Sequence, residues 1–269
     1  MDRRINQTLG KMLIAVALCM FELPVLAETA YVRLSDKNVV KLADSLEDKV
    51  KRFERALDSK IKRSVLRGSG GEVQIPFYLE DLEDDIKKLK KRYSGEYAAS
   101  AEAQSLLQRA GLMHGYLQEN PGVKGANEWD ILAAGLQELA SSYGTDFPLV
   151  DGAVVRRVGD KELANVSKEL YDASRKFSSK LAKSTSRIKP LKETVSQARD
   201  ELETLGDASK NLSSRVRSND PATAQARQVI AAAKSVESTL DVDGMPEEVM
   251  AEWESVRQLA DKVAQAFWL

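Results

Sequence analysis

Apolar residues recur every three or four positions along most of the chain, and this spacing limits the fold more than any other feature of the sequence. The first long series, between residues 35 and 66, consists of Val39, Leu42, Leu46, Val50, Phe53, Leu57 and Ile61. Residues at this spacing share one side of an α-helix and can face a core while the charged positions between them face water. No segment shows the sustained alternation of apolar and polar residues that is typical of strands. The sequence therefore predicts an all-α protein without strands.

The same spacing, interrupted by glycine and proline, divides the chain into eight predicted helices. Four of them cover about residues 35–66, 78–93, 96–118 and 127–143. The other four run from Leu163 to near Pro190, from Leu191 to Val216, from Asp220-Pro221 to Leu240 and from Pro246 to Phe267. The breaks between them are predicted loops, of which the first is marked by Gly68, Gly70, Gly71 and Pro76.

The two halves of the chain resemble each other when the sequence is displaced along itself. At a displacement of 124 residues, Phe53 meets Phe177 and Trp129 meets Trp253. At 123 residues, the segment 100–117 meets a second segment with its alanines in register. The chain has only 6 Phe and 3 Trp, so these coincidences are more informative than matches between apolar series.

This repetition predicts the domain organisation. We expect two tandem up-and-down four-helix bundle units that arose by internal duplication, at residues 35–143 and 160–269, with a linker at 144–159. The alternative is eight unrelated amphipathic helices of similar length. Up-and-down helical bundles serve many unrelated functions, so this architecture by itself implies none of them.

Residues 1–27 have the pattern of a secretory signal peptide. Arg3, Arg4 and Lys11 form a positive region, Met12 to Phe21 form an apolar run of 10 residues, and Val25-Leu26-Ala27 ends in a small-residue cleavage site. A membrane-crossing helix needs about 20 apolar residues, so the run is too short to span a bilayer. We therefore predict export to the periplasm or beyond the cell, with no transmembrane span after cleavage.

Two alternatives to a cleaved signal peptide remain for this region. It could form a buried N-terminal helix or a membrane anchor, or Cys19 could carry a lipid. Lipid attachment normally requires a small residue just before the cysteine, and Leu18 is bulky. Cleavage after Ala27 would leave a mature chain without cysteine.

The composition argues against several classes of site. One Cys and one His exclude a disulfide framework, a cysteine-based zinc module and a multi-histidine metal site. The 40 basic and 41 acidic residues nearly cancel, so there is no general attraction to nucleic acid. His114 lies beside the apolar positions Met113 and Leu117, which favours a boundary histidine over a ligand. We predict no metal, no cofactor and no catalytic residue.

Acidic residues cluster in the second predicted helix, at Glu80, Asp81, Glu83, Asp84 and Asp85. Such carboxylates could belong to a glycosidase or a calcium site. However, the basic segment 87–92 follows at once, and acid at the start of a helix with base at its end suits the helix dipole and i,i+4 pairing. The structural explanation is the one we favour.

A run of seven basic residues without an acidic one lies between Arg175 and Lys192. Four of them, Lys176, Lys180, Lys183 and Arg187, are spaced to share one helix face. This basic stripe is the candidate site for an anionic polymer or lipid headgroups. Its alternative is a solvated face whose long side chains flank the core.

The sequence favours an exported, non-enzymatic scaffold or interaction protein of the cell envelope, contacting a partner protein or an anionic polymer. One alternative is a periplasmic small-ligand carrier or enzyme with a polar site inside one bundle. Another is a periplasmic holdase, which would expose a large apolar patch. The oligomeric state and the specific partner are left open by the sequence.

Export has a direct test. The intact mass of the protein recovered from its native host should correspond to a chain that begins at Glu28 or within a few residues of it. Recovery of a cytosolic chain that begins at Met1 or Asp2 would refute the signal peptide.

Overall fold

The apolar series of the sequence become the inward faces of helices in the computed structural model, which describes residues 31–68, 71–93 and 97–269. The predicted signal peptide, with Cys19, lies outside the described residues. The helices in the described residues are α1 (Asp36–Ala56), α2 (Ser59–Lys62), α3 (Ile75–Arg92), α4 (Ser100–Glu119), α5 (Ala126–Ser141), α6 (Asp160–Thr185), α7 (Lys192–Arg217), α8 (Thr223–Leu240) and α9 (Glu247–Phe267). A 3-10 turn spans Lys189–Leu191. The chain is mostly helical, which confirms the all-α class at that level, and none of these helices is long and apolar enough to cross a membrane.

A short antiparallel hairpin, β1 (Val65–Gly68) and β2 (Gly71–Gln74), shows that the prediction of no strands was wrong. The first predicted helix (35–66) is interrupted before this hairpin. The helix α1 ends at Ala56, and the Asp58 carboxylate accepts hydrogen bonds from the backbone N–H groups of Lys60 and Ile61, which begins the separate helix α2. Each strand has only four residues, too few for an alternating pattern to stand out. The hairpin buries Leu66 against the helices.

Two helix starts also differ from the prediction. Asp220 and Pro221 do not begin a helix, because the Asp220 N–H bonds to the Arg215 carbonyl and closes the end of α7; α8 begins at Thr223. Pro76, expected in a loop, lies in the first turn of α3, where its missing N–H costs nothing. The start of α9 after Pro246 agrees with the prediction.

The long helices pack in two sets. In the first helix set (α1, α3, α4 and α5), α1 and α4 each contact α3 and α5. In the second helix set (α6 to α9), α6 and α8 each contact α7 and α9. Each set encloses its own apolar core, and residues 31–269 together form one compact unit. The segment 144–159 packs on the first core through Val155, with Phe147 and Leu149 beside it.

A pair of aromatic rings joins the first and last helix of each set. The ring centroids of Phe53 and Trp129 lie 5.1 Å apart, and those of Phe177 and Trp253 lie 5.9 Å apart. All four side chains are buried. Their surroundings differ in one respect: Trp129 Nε1 donates to His114 Nδ1 at 3.2 Å, whereas Trp253 Nε1 has no partner among the described residues.

The aromatic pairs should carry a large share of the stability of both sets. Phe53→Ala and Phe177→Ala should each lower the free energy of unfolding by about 3–5 kcal/mol, because each leaves a cavity in a filled core. The control is Phe77→Ala on α3, since Phe77 is 59% exposed and should change stability by less than about 0.5 kcal/mol. Denaturant unfolding of the purified protein measures all three, and a core variant that matches the control would contradict the packing.

Candidate functional site

Two segments of related sequence lead into α1 and α6. Residues 33–37 read Arg-Leu-Ser-Asp-Lys and residues 157–161 read Arg-Val-Gly-Asp-Lys. They are 124 positions apart, the same displacement that relates the aromatic residues. The sequence analysis missed this motif because one copy precedes the first apolar series and the other lies in the predicted linker. The matching Arg-x-x-Asp-Lys patterns were the available signal.

Each aspartate caps the helix that the other one begins. The Asp36 N–H donates to Asp160 Oδ2 at 2.7 Å, and the Asp160 N–H donates to Asp36 Oδ2 at 2.8 Å. Ser35 and Gly159, which precede these helices, supply no side-chain cap. The first N–H groups of a helix lack internal partners and its N-terminus favours negative charge, so each carboxylate stabilises the other helix.

The two arginines repeat this reciprocity. Arg33 donates to Asp160 Oδ1 at 2.6 Å and to the Val158 carbonyl at 2.7 Å. Arg157 donates to Asp36 Oδ1 at 2.9 Å and to the Leu34 carbonyl. Each arginine therefore binds the aspartate and the preceding carbonyl of the opposite segment. Self-complementary contacts of this kind are those of a two-fold symmetric dimer interface, here inside one chain.

We call Arg33, Asp36, Arg157 and Asp160 the junction. Arg33, Arg157 and Asp160 are each less than a tenth exposed, so these charges have left water. Burial lowers the pKa of Arg33. Burial acts on Arg157 in the same direction, but the neighbouring Tyr93 and Asp36 outweigh it and raise the pKa of that guanidinium. Both arginines stay protonated, so two positive and two negative charges compensate one another.

The surroundings of the two arginines are not equivalent. Arg157 Nε donates to the Tyr93 hydroxyl at 2.6 Å, and that hydroxyl donates to Asp36 Oδ1 at 3.1 Å. Burial raises the pKa of Tyr93, which keeps the phenol protonated for this second bond. Arg33 Nε has no partner among the described residues, and its guanidinium lies 5.5 Å from the ring centre of Phe267.

A second close contact joins the ends of α5 and α9. Gly144 has φ +71°, and a Cβ atom at this position would lie 2.0 Å from Trp268 Nε1. Only glycine fits there, because the backbone is left-handed and the indole occupies the space of a side chain. Gly144 and Trp268 are also 124 positions apart. The junction joins the start of α1 to the start of α6, and this contact joins the ends of α5 and α9.

The predicted basic stripe is only partly assembled. Lys176, Lys180 and Lys183 are exposed on α6, but Arg187 lies beyond its end, so the prediction that all four share a helix face was wrong. The chain turns after Thr185, where the Ile188 N–H bonds to the Thr185 carbonyl. Lys180 pairs with Glu252 of α9, whereas Lys176 and Lys183 make no ion pair with any described residue.

His114 is half-buried among its neighbours. Its Nδ1 accepts the Trp129 indole bond, its ring lies edge-on to Phe147 at 5.4 Å, and Gln118 Nε2 lies 3.0 Å from its Nε2. Both ring nitrogens are thus taken up by protein groups. This environment is that of a boundary histidine inside the first helix set.

The acidic cluster of α3 forms ion pairs. Arg109 of α4 donates to Asp85 at 2.7 Å and to Asp81 at 2.8 Å, and Lys87 bonds to Asp84 at 3.1 Å. The sequence indicated the pairs within the helix but not the arginine from the neighbouring one. Within the described residues, no three His, Cys, Asp or Glu side chains are grouped so that they could hold a metal ion.

No family model, curated protein or solved structure matches this chain. The function must therefore be argued from the contacts, charges and surfaces of the molecule itself.

The junction can be tested by removing one charge. Asp160→Asn should lower the free energy of unfolding by about 3–5 kcal/mol, because Arg33 would then be buried without a counter-charge. Arg33→Met combined with Asp160→Asn should cost less than the sum of the single changes, since the two groups contact each other. Asp172→Asn, an exposed change on the same helix, is the control. Denaturant unfolding gives the four values, and strict additivity would refute the coupling.

Proposed function

We propose that the protein is an exported, non-enzymatic scaffold of the cell envelope, built from two tandem four-helix bundles that arose by duplication. Its α6 helix would contact an anionic partner. Three kinds of observation support this proposal: the repetition of contacts in the two helix sets, the pairing of the buried charges with other charged side chains, and the exposed cations of α6.

The duplication is supported by contacts that recur at one displacement. In each set, the first and third long helices touch the second and fourth, as in an up-and-down bundle. Phe53–Trp129 and Phe177–Trp253 occupy matching helices. The reciprocal bonds between Asp36 and Asp160 add polar residues to this agreement, and a coincidence between two apolar patterns would not explain these bonds.

The non-enzymatic character rests on where buried charge is used. Of the four buried charged side chains in the described residues, three belong to the junction and the fourth, Asp85, pairs with Arg109. Active sites typically hold ionisable groups in a cleft with their reactive atoms turned toward a substrate. Here the buried charges bind one another and orient helix ends, which is the task of a rigid frame.

The partner surface is proposed from the outer face of α6. Lys176 and Lys183 are exposed without an ion-pair partner among the described residues, and Lys180 lies between them. Arg187, Lys189 and Lys192 extend the positive charge through the turn into α7. Clustered cations raise the local concentration of anionic polymers or surfaces in a salt-dependent way.

The alternatives receive unequal support. A holdase would need a broad apolar surface, whereas the exposed side chains Phe77, Leu112 and Ile131 lie on three different helices. A small-ligand carrier would need a polar site inside one bundle, whereas the polar groove beside α6 is lined mainly by exposed residues of α6 and α7.

The proposed surface predicts a charge-dependent association with the envelope. The triple variant Lys176→Gln, Lys180→Gln, Lys183→Gln should co-sediment with isolated envelopes of the host at least about tenfold more weakly, because each cation near an anionic surface contributes about 1 kcal/mol. It should also show a weaker dependence on salt and an unchanged far-UV helical spectrum.

The matched control removes three exposed lysines from other helices of the same set: Lys210→Gln, Lys234→Gln and Lys262→Gln. Both triple variants change the net charge equally, so only a local role of α6 separates them. Equal sedimentation of the two triple variants would show that the basic stripe is only a solvated helix face.

A further inference from the structure

A cavity of about 590 Å³ lies between the segment 144–159 and the C-terminal end of α9. The segment contributes Val154, Arg156 and Val158 to its wall, and Trp268 and Leu269 contribute from the end of α9. This wall is mostly apolar. Binding sites for small molecules have volumes in this range and combine apolar walls with a few polar groups.

The wall on the side of the segment is fixed by buried neighbours. Val155 packs in the first core and Arg157 belongs to the junction, so both side chains point into the protein. Val154 and Arg156 alternate with them and are exposed, and 73% of Val154 is accessible to solvent. Because the buried residues hold the backbone, Val154 lies beside the cavity before any ligand arrives.

The opposite wall contains a tryptophan in a strained backbone conformation. Trp268 has φ 55° and ψ 44°, a left-handed conformation that residues other than glycine adopt rarely and at a cost in energy. Gly144 leaves room for its indole, and the centroid of the Tyr31 ring lies 6.1 Å from it. Residues held in such conformations cluster at ligand clamps and active sites. The strain at Trp268 therefore points to a ligand independently of the volume of the cavity.

The polar side chains at the cavity lack partners. The guanidinium of Arg156 forms no ion pair or hydrogen bond with a described residue, and neither does the side-chain amide of Gln265. No acidic side chain lines the cavity in the part of the chain that the structure describes. A guanidinium binds a carboxylate by two parallel hydrogen bonds. The group that suits this position is therefore a single carboxylate at the edge of an apolar wall.

We propose that the cavity binds an amphiphilic carboxylate of the fatty-acid class. The carboxylate binds Arg156 and Gln265. The alkyl chain packs against Val154, Trp268 and Leu269. Burial of the alkyl chain supplies the affinity, and the ion pair fixes the orientation of the ligand. This activity goes beyond the proposed scaffold and uses none of the lysines of the basic stripe.

The probe is octanoate, titrated into the purified protein by calorimetry and by tryptophan fluorescence. Trp129 and Trp253 are buried in the two cores, so Trp268 is the tryptophan that responds, and Trp268→Phe should remove the fluorescence change. Hexanoate should bind more weakly by about fourfold for each methylene group lost, because less apolar surface leaves water. Octanol, which has no carboxylate, should bind about tenfold more weakly than octanoate.

Two pairs of variants locate the site. Arg156→Gln should weaken octanoate binding about tenfold and leave octanol binding unchanged, whereas Arg227→Gln on α8 makes the same change of charge outside the cavity. Val154→Asp should weaken binding at least about tenfold, because it replaces an apolar contact with a negative charge. Val150→Asp is its control, since Val150 is 74% exposed in the same segment but does not line the cavity. Both controls should bind octanoate as the unchanged protein does.

Octanoate binding that is absent, or equal in Arg156→Gln and Arg227→Gln, would overturn the proposal, as would equal binding by the two aspartate variants. The triple lysine variant of α6 should bind octanoate normally, and Arg156→Gln should sediment normally with envelopes. A failure of the cavity and a failure of the basic stripe are therefore separable.

Discussion

The structure depends on four charges that leave water together. A single buried arginine or aspartate would cost several kcal/mol, but Arg33, Asp36, Arg157 and Asp160 supply one another with counter-charges and hydrogen bonds. Because each aspartate also caps the helix begun by the other, the start of α1 and the start of α6 are stabilised only when both segments are in place. The compensation therefore links the two helix sets through their first turns. The segment 144–159 takes part in this link, because it packs on the first core through Val155 and carries Arg157 of the junction.

The surroundings of the junction differ between the two helix sets. On one side, Tyr93 gives Arg157 a hydroxyl partner; on the other, Arg33 meets the ring of Phe267 and its Nε has no partner among the described residues. At the helix ends, Gly144 makes room for Trp268, and two tryptophans at these matching positions would collide. The contact is therefore symmetric in its charges and asymmetric in its shape. Such a combination favours the pairing of the first half with the second over the pairing of like halves.

The surface that we propose for an anionic partner lies on α6. The junction sets the position of its N-terminus, Phe177 anchors its inner face against Trp253, and the remaining faces are free for other roles. One of these faces presents lysines to solvent, and another forms a wall of the polar groove with α7. A helix held at its start and along its core side can present its outer face in a fixed position.

The sequence by itself determined the helical class and the burial of the aromatic residues, because apolar spacing at three and four positions is a local property with one stable solution. Phe53 and Trp253 could be placed in a core from their neighbours alone. Other local signals made two predictions wrong. Asp58 ended the first helix before its predicted end, and the turn after Thr185 separated Arg187 from the lysines of the basic stripe. Only the tertiary structure brought Asp36 to Asp160 and Arg199 into one groove with Arg175, because these residues come from separate helices. The matching Arg-x-x-Asp-Lys segments show in the sequence that the motif is repeated, but not that its two copies bind each other.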